Sequence, residues 1–165
     1  AIISAKQDEM FDRIRTIQQG QGAVPSARDC WLLCRSIRSF PYRMRAHNEN
    51  AQKLAEFLSD HPKVKEVYYP GLESHQGYDI ARAQMSGFGG MISFLFDGTE
   101  QESLKAVASS KLITRATSLG GIESTWEHRR SSEGEQSHSP ENLIRLSVGL
   151  EHPDDLIEDL IQALD

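Results

Sequence analysis

Apolar positions recur at helical spacing through the first third of the chain and then change to strand-like alternation broken by short helical stretches. Ile2-Ile3 reads as a brief strand. Met10, Ile14 and Ile17 predict a helix from about Asp8, with Gly20 where a C-terminal cap belongs. Gln18 to Pro25 reads as a connector rich in Gly, Pro and Gln. Ser26, with Asp29 three residues on, forms a capping pair for a helix through Trp31, Leu32, Leu33 and Ile37. Pro41 interrupts that stretch and suits the start of a helix. Met44, Ala51, Leu54, Ala55 and Leu58 then continue the spacing down to His61-Pro62. The middle of the chain is therefore either a bent pair of helices or one long kinked helix.

Val64 to Tyr69 predicts a strand, Asp79 to Met85 a short helix, and Met91 to Phe96 a strand with Ile92, Phe94 and Phe96 on one face. Thr99 and Glu102 form a capping box for a helix carrying Leu104, Val107 and Ala108. Leu112 to Ala116 and Ile144 to Val148 predict further strands. A last helix opens at Pro153 with Asp154 and Asp155 in its first turn, and shows Leu156, Ile157, Leu160, Ile161 and Leu164 on one face. Short strands joined by helices give an α/β sandwich, helices on one face of a small sheet. The stretch Glu127 to Pro140 reads as a long polar loop that core burial cannot hold, and is expected to be loosely held.

Composition narrows the partners more than the fold. The 165 residues, 38% hydrophobic and 25% charged, are ordinary for one folded domain with part of a second. A net charge of -6 without a basic patch argues against nucleic acid and anionic membranes. No apolar run is long enough to span a bilayer, and the start is too soon charged for a secretory signal. A chain opening at Ala1 is expected to be processed or part of something longer. Cys30 and Cys34, one helical turn apart, suggest a buried reduced pair and a cytoplasmic setting.

Candidate chemistry centres on Arg145. Period 2 in the strand puts Ile144, Leu146 and Val148 on one face, Arg145 and Ser147 on the other. A guanidinium between apolar neighbours needs a carboxylate, either a bound one gripped by two bonds or a structural Glu or Asp. Ser118-Leu119-Gly120-Gly121 follows a strand and frees backbone donors, or is simply a tight turn. Gly87-Phe88-Gly89-Gly90 leads into a strand, not a helix N-terminus, and reads as structural. The histidines are scattered, and neither a metal set nor a hydrolase motif is present. Each lysine has polar neighbours, so none has the apolar setting that Schiff-base chemistry favours.

Ser118-Leu119-Gly120-Gly121-Ile122-Glu123-Ser124, followed by Ile144-Arg145-Leu146-Ser147-Val148-Gly149-Leu150-Glu151, strongly resembles the transsulfuration enzymes. These are cystathionine γ-synthases, γ-lyases and β-lyases, with methionine γ-lyase and homoserine sulfhydrylases as relatives. Tyr42 to Ala51, Val67 to Leu72, Gly87 to Met91 and Asp154 to Ile157 match in the same order. The resemblance implies the small C-terminal domain of a fold-type I pyridoxal-phosphate (PLP) transferase, a mostly antiparallel sheet with helices on one face behind a long kinked helix. Residues 1–22 would be the tail of the large PLP-binding domain and residues 23–165 the small domain.

The same resemblance implies a homotetramer built from dimers that share active sites. It implies Arg145 on the substrate α-carboxylate, with Ser118 and Leu119 lining the pocket. The Schiff-base lysine and the cofactor contacts are expected upstream, so the isolated chain would be inactive. No catalytic, cofactor or metal residue is assigned within it. Thr117 stands where several γ-synthases and γ-lyases carry Glu, which leaves the choice of β- or γ-chemistry open. His128-Arg129-Arg130-Ser131-Ser132 replaces the frequent His-Pro-Ala-Ser-Met-Thr-His. A non-catalytic binding or assembly module that kept the fold is the alternative from another class.

Overall fold

The computed structural model describes residues 6–134 and 136–165, which form two compact units divided between Phe40 and Pro41. The expected strand at Ile2-Ile3 lies outside the described residues. In the first unit, α1 spans Glu9–Gln21, its N-cap Asp8 accepting from the Phe11 amide. The helix runs past Gly20 and ends at Gly22, whose φ of 66° is the left-handed conformation that closes a helix. Gly22 carries that cap in place of Gly20. Helix α2, Ala27–Ile37, opens on the complete capping box of Ser26 and Asp29. Cys30 and Cys34 are exposed on it, which overturns the expected buried pair. Their neighbours Trp31, Leu33 and Ile37 are exposed as well, so within this unit no core encloses the cysteines.

Of the two forms open for the middle of the chain, a pair of helices is found. Helix α3 covers Phe40–Asp60. Pro41 offers no N–H to the Ile37 carbonyl and its ring would crowd that oxygen, so α2 stops at Ile37. Along α3, His47, Asn50, Ala51, Leu54, Ala55 and Leu58 are buried at helical spacing.

The second unit, Pro41–Asp165, is built on a five-stranded sheet in the order β1-β2-β5-β4-β3. The strands are β1 Val64–Tyr68, β2 Met91–Phe96, β3 Thr114–Arg115, β4 Thr125–His128 and β5 Leu143–Ser147. All neighbours pair antiparallel except β3 and β4. Between the strands lie α4 (Tyr78–Gln84), α5 (Glu100–Ser109) and α6 (Arg129–Glu133), and α7 (Pro153–Leu164) closes the chain. The sheet is thus mixed α/β and mostly antiparallel, as expected.

Alternation along the strands separates its two faces. Ile92, Phe94, Phe96, Trp126, Ile144 and Leu146 enter one core with residues of α3, α5 and α7. Trp126 is satisfied there, its Nε1–H donating to the Val107 carbonyl at 3.1 Å and the Ser110 hydroxyl at 3.0 Å. On α5 the buried residues are Ser103, Ala106 and Val107, while Ala108 faces out. On α7, Ile161 is likewise exposed, and the inward positions unforeseen in the sequence include Asp159 and Ala163.

The stretch from Glu127 to Pro140 is not a plain loop. Glu127 and His128 end β4, and α6 follows at once. Ser137 and Ser139 donate to Glu133 at 2.6 and 2.7 Å, Arg129 pairs with Glu133, and Arg130 reaches Glu141 at 3.1 Å. Side-chain bonds supply the order that the lack of apolar residues denies to core packing, which corrects the loosely held reading.

Candidate functional site

The sheet face opposite the core carries the polar residues. The register aligns Ser93, Arg145 and Glu127 on neighbouring strands β2, β5 and β4, and one step along aligns Met91, Ser147 and Thr125. Cross-strand neighbours on one face stand close enough for their side chains to meet. Arg145 Nη2 forms an ion pair with Glu127 Oε1 at 2.6 Å and donates to the Thr117 carbonyl at 2.6 Å. Its side chain is 19% exposed, whereas that of Glu127 is 3% exposed. The structural ion pair open to Arg145 from its sequence setting is therefore present. Among the described residues, its Nε and Nη1 donors have no recorded protein partner, and they remain for a second acceptor.

Two further bonds bring the Ser118 segment to the same strand. The Gly120 amide donates to Ser147 Oγ at 2.9 Å, and Thr125 Oγ1 donates to the Ser118 carbonyl at 2.8 Å. Through these and the Thr117 contact, the loop 117–121 is tied to the open face beside Arg145. Ser118 and Leu119 are exposed there, Leu119 at 55%. The loop bearing Ser118 and Leu119 is thus tied to the sheet face on which Arg145 stands at the central strand, with no contact from either residue to the guanidinium itself.

Sequence reasoning missed Glu127 and Arg129. Arg129 Nη1 donates to the same Glu127 oxygen at 2.6 Å. The hydrogen bond to Glu127 is the main influence raising the Arg129 guanidinium above its ordinary value. The other oxygen of Glu127, Oε2, is buried without a partner among the described residues. His128 follows on the core side, 1% exposed. Its Nδ1 accepts from the Ser131 amide at 3.3 Å, which leaves the proton on Nε2 for the Glu141 carbonyl at 2.6 Å. The available signal was the alternation Thr125-Trp126-Glu127-His128, a strand pattern hidden by its polar composition.

The Gly87–Gly90 loop is closed on itself as the structural reading expects. The Gly89 amide donates to Asn48 Oδ1 at 2.7 Å, and the Gly89 carbonyl accepts from the Tyr69 hydroxyl at 3.0 Å. The loop leads into β2, whereas phosphate loops open onto a helix N-terminus. Lys6, Lys53, Lys63, Lys65, Lys105 and Lys111 are all exposed. Among the described residues, no helix is long and apolar enough to cross a membrane.

Comparison with known proteins specifies the class. The chain belongs to the Cys/Met metabolism PLP-dependent enzyme family, whose model matches residues 1–165. It is 43% identical over 162 residues to a cystathionine gamma-synthase of Mycobacterium bovis, across 95% of this chain and 42% of that protein. A cystathionine gamma-lyase of Mus musculus is 42% identical over 171 residues, across 99% of this chain and 43% of its own. The crystal structure of metB from Corynebacterium glutamicum superposes with a TM-score of 0.86 at 42% identity, over 96% of this chain and 43% of that one. The chain therefore spans 42–43% of the length of these relatives.

The family is PLP-dependent, but the described residues do not fit the role of holding that cofactor. The exposed lysines supply no Schiff-base nitrogen in an apolar setting, and the Gly87–Gly90 loop, with its Gly89 amide on Asn48, leads into a strand where a phosphate cradle opens onto a helix. The open donors of Arg145 fit a carboxylate instead.

Proposed function

We propose that this chain is the C-terminal small domain of a transsulfuration enzyme of the cystathionine γ-synthase and γ-lyase type. In this reading residues 1–22 are the tail of the PLP-binding large domain and residues 23–165 the small domain. The whole protein forms or breaks a C–S bond on a homoserine- or cysteine-derived amino acid. γ-Synthase and γ-lyase relatives match at nearly equal identity, 43% and 42%, so the reading stays at that level.

Bound PLP supplies the electron sink for such chemistry. The contribution of this chain is to bind and orient. Arg145 grips the substrate α-carboxylate, and the exposed Ser118 and Leu119 line the same mouth. The observation that carries the reading is the half-open guanidinium, with Nη2 anchored to Glu127 and Thr117 while Nε and Nη1 are left over. Anchoring one nitrogen orients the plane of the group before a ligand arrives, which lowers the ordering cost of binding. The Schiff-base lysine and the phosphate contacts lie outside this chain, so the isolated chain is inactive. The active protein is a cytoplasmic homotetramer whose dimers share active sites.

The test is Arg145→Lys in the complete enzyme. A fork becomes a point charge, and a lost charge-assisted bond costs about 1.5–3 kcal/mol, on the order of 10- to 100-fold in kcat/KM. PLP content should stay normal. Unchanged kcat/KM for the amino-acid substrate sinks the assignment.

A further inference from the structure

Two guanidinium groups meet on one oxygen of Glu127. Arg145 Nη2 and Arg129 Nη1 each lie 2.6 Å from Oε1. The carboxylate they share is 3% exposed, and its Oε2 is buried with no partner among the described residues. A carboxylate so removed from water is costly unless a cation compensates it, and stripping its only cation costs more than the pair was worth. Were Arg145 the only counter-ion, its charge would be neutralised by Glu127 even with Nε and Nη1 free, and its pull on a substrate carboxylate would be weaker. Arg129 removes that conflict. It reaches Glu127 from α6, is itself held by Glu133, and lies 25% exposed at the rim.

We propose that Arg129 is a positioning residue that compensates the buried Glu127 carboxylate, so that the Arg145 guanidinium is available to the α-carboxylate of the substrate. The inference rests on the reading of Arg145 as the carboxylate-binding residue.

The experiment is steady-state kinetics on the complete holoenzyme with its amino-acid substrate. In Arg129→Ala, Glu127 leans wholly on Arg145, and KM should rise about five- to tenfold with kcat and PLP content unchanged. Adding Glu127→Gln removes the competing charge, so the double variant should return to within about twofold of the parent KM. Glu133→Gln, which leaves Arg129 free for Glu127, should keep the parent KM. A purely structural role for Arg129 predicts the opposite pattern, with the double variant no better than the single one. The inference is overturned if Arg129→Ala keeps the parent KM, if the double variant fails to recover, or if Glu133→Gln raises KM as much as Arg129→Ala. Arg145→Lys separates the two claims. If that variant alone leaves KM unchanged, the carboxylate reading fails. If it raises KM while Arg129→Ala does not, only the role of Arg129 fails.

Discussion

Glu151 holds Ser124 by two bonds at once. The Ser124 amide donates to Oε1 at 2.6 Å and its hydroxyl to Oε2 at 2.8 Å. The same hydroxyl accepts from the Gly149 amide at 2.8 Å, and Asn50 Nδ2 donates to the carbonyls of Gly149 and Glu151 at 3.1 and 2.9 Å. This clamp fastens the loop after β3 to the end of β5 and so fixes where the Ser118 segment sits against Arg145.

Removing the clamp should therefore cost stability and loosen the site. Ser124 is fully buried, so Glu151→Ala leaves its amide and hydroxyl without their acceptor, at about 1–3 kcal/mol for a buried polar group left unmade. Urea unfolding followed by circular dichroism measures the loss. A change below about 0.5 kcal/mol, the range of ordinary surface substitutions, would show that water replaces Glu151 at no cost.

Gly149 tests the same junction by addition rather than removal. A Cβ there would lie 2.4 Å from the Ile122 carbonyl oxygen and 2.6 Å from the Ser124 amide nitrogen. Both atoms are backbone in a pinned loop, so neither can give way cheaply. Gly149→Ala should destabilise by about 1–3 kcal/mol, the usual cost of overpacking. A thermal midpoint equal to the parent's would mean that the loop shifts freely, and the rigid-clamp account would fail.

Asp159 does for the other edge what Glu151 does for the centre. Its carboxylate accepts from the backbone amides of Lys111 at 2.7 Å, Leu112 at 3.0 Å and Ile113 at 2.9 Å, which steers the chain from α5 into β3. Asparagine keeps the shape but turns one acceptor into a donor facing amides. Asp159→Asn should cost about 1.5–3 kcal/mol, the worth of bonds to a charged group. Amide exchange at residues 111–113 should accelerate more than at β2. Equal effects at both places would show a global loss and no local one.

Glu133 sets the acid limit of the segment around α6. Hydrogen bonds from Ser137, first, then Ser139 and Arg129, bring its carboxyl from 4.5 down to about 2. A carboxyl depressed on folding stabilises the folded form above pH 4.5, and that contribution fades as pH falls toward about 2. A carbon-detected titration should place its midpoint well below 4.5, and Ser137→Ala should move it upward. A midpoint at 4.5 in the parent would mean that these bonds do not persist in solution.

Local chemistry made much of the fold legible. The capping boxes at Ser26 and Thr99 and the alternation of Ile92, Phe94 and Phe96 depend on neighbours within a few residues, and they stand where expected. The final helix opens at Pro153 with its acids in place for the same reason. Strand β4 was missed because its inward and outward positions are both occupied in part by polar residues. Burial of His128 on one side and Glu127 on the other is satisfied by partners 13 and 18 residues away, Glu141 and Arg145.

By itself, then, the sequence determined the family resemblance, most element types outside β4 and α6, and the face on which Arg145 stands, because each follows from residue identity and short-range periodicity. Only the tertiary structure decided what that arginine meets. Pairing β4 beside β5 sets Glu127 across from Arg145, and the turn into α6 adds Arg129 to the same carboxylate oxygen. Such a shared charge has no signature in spacing, since the energy that makes it matter arises when the sheet excludes water from Glu127.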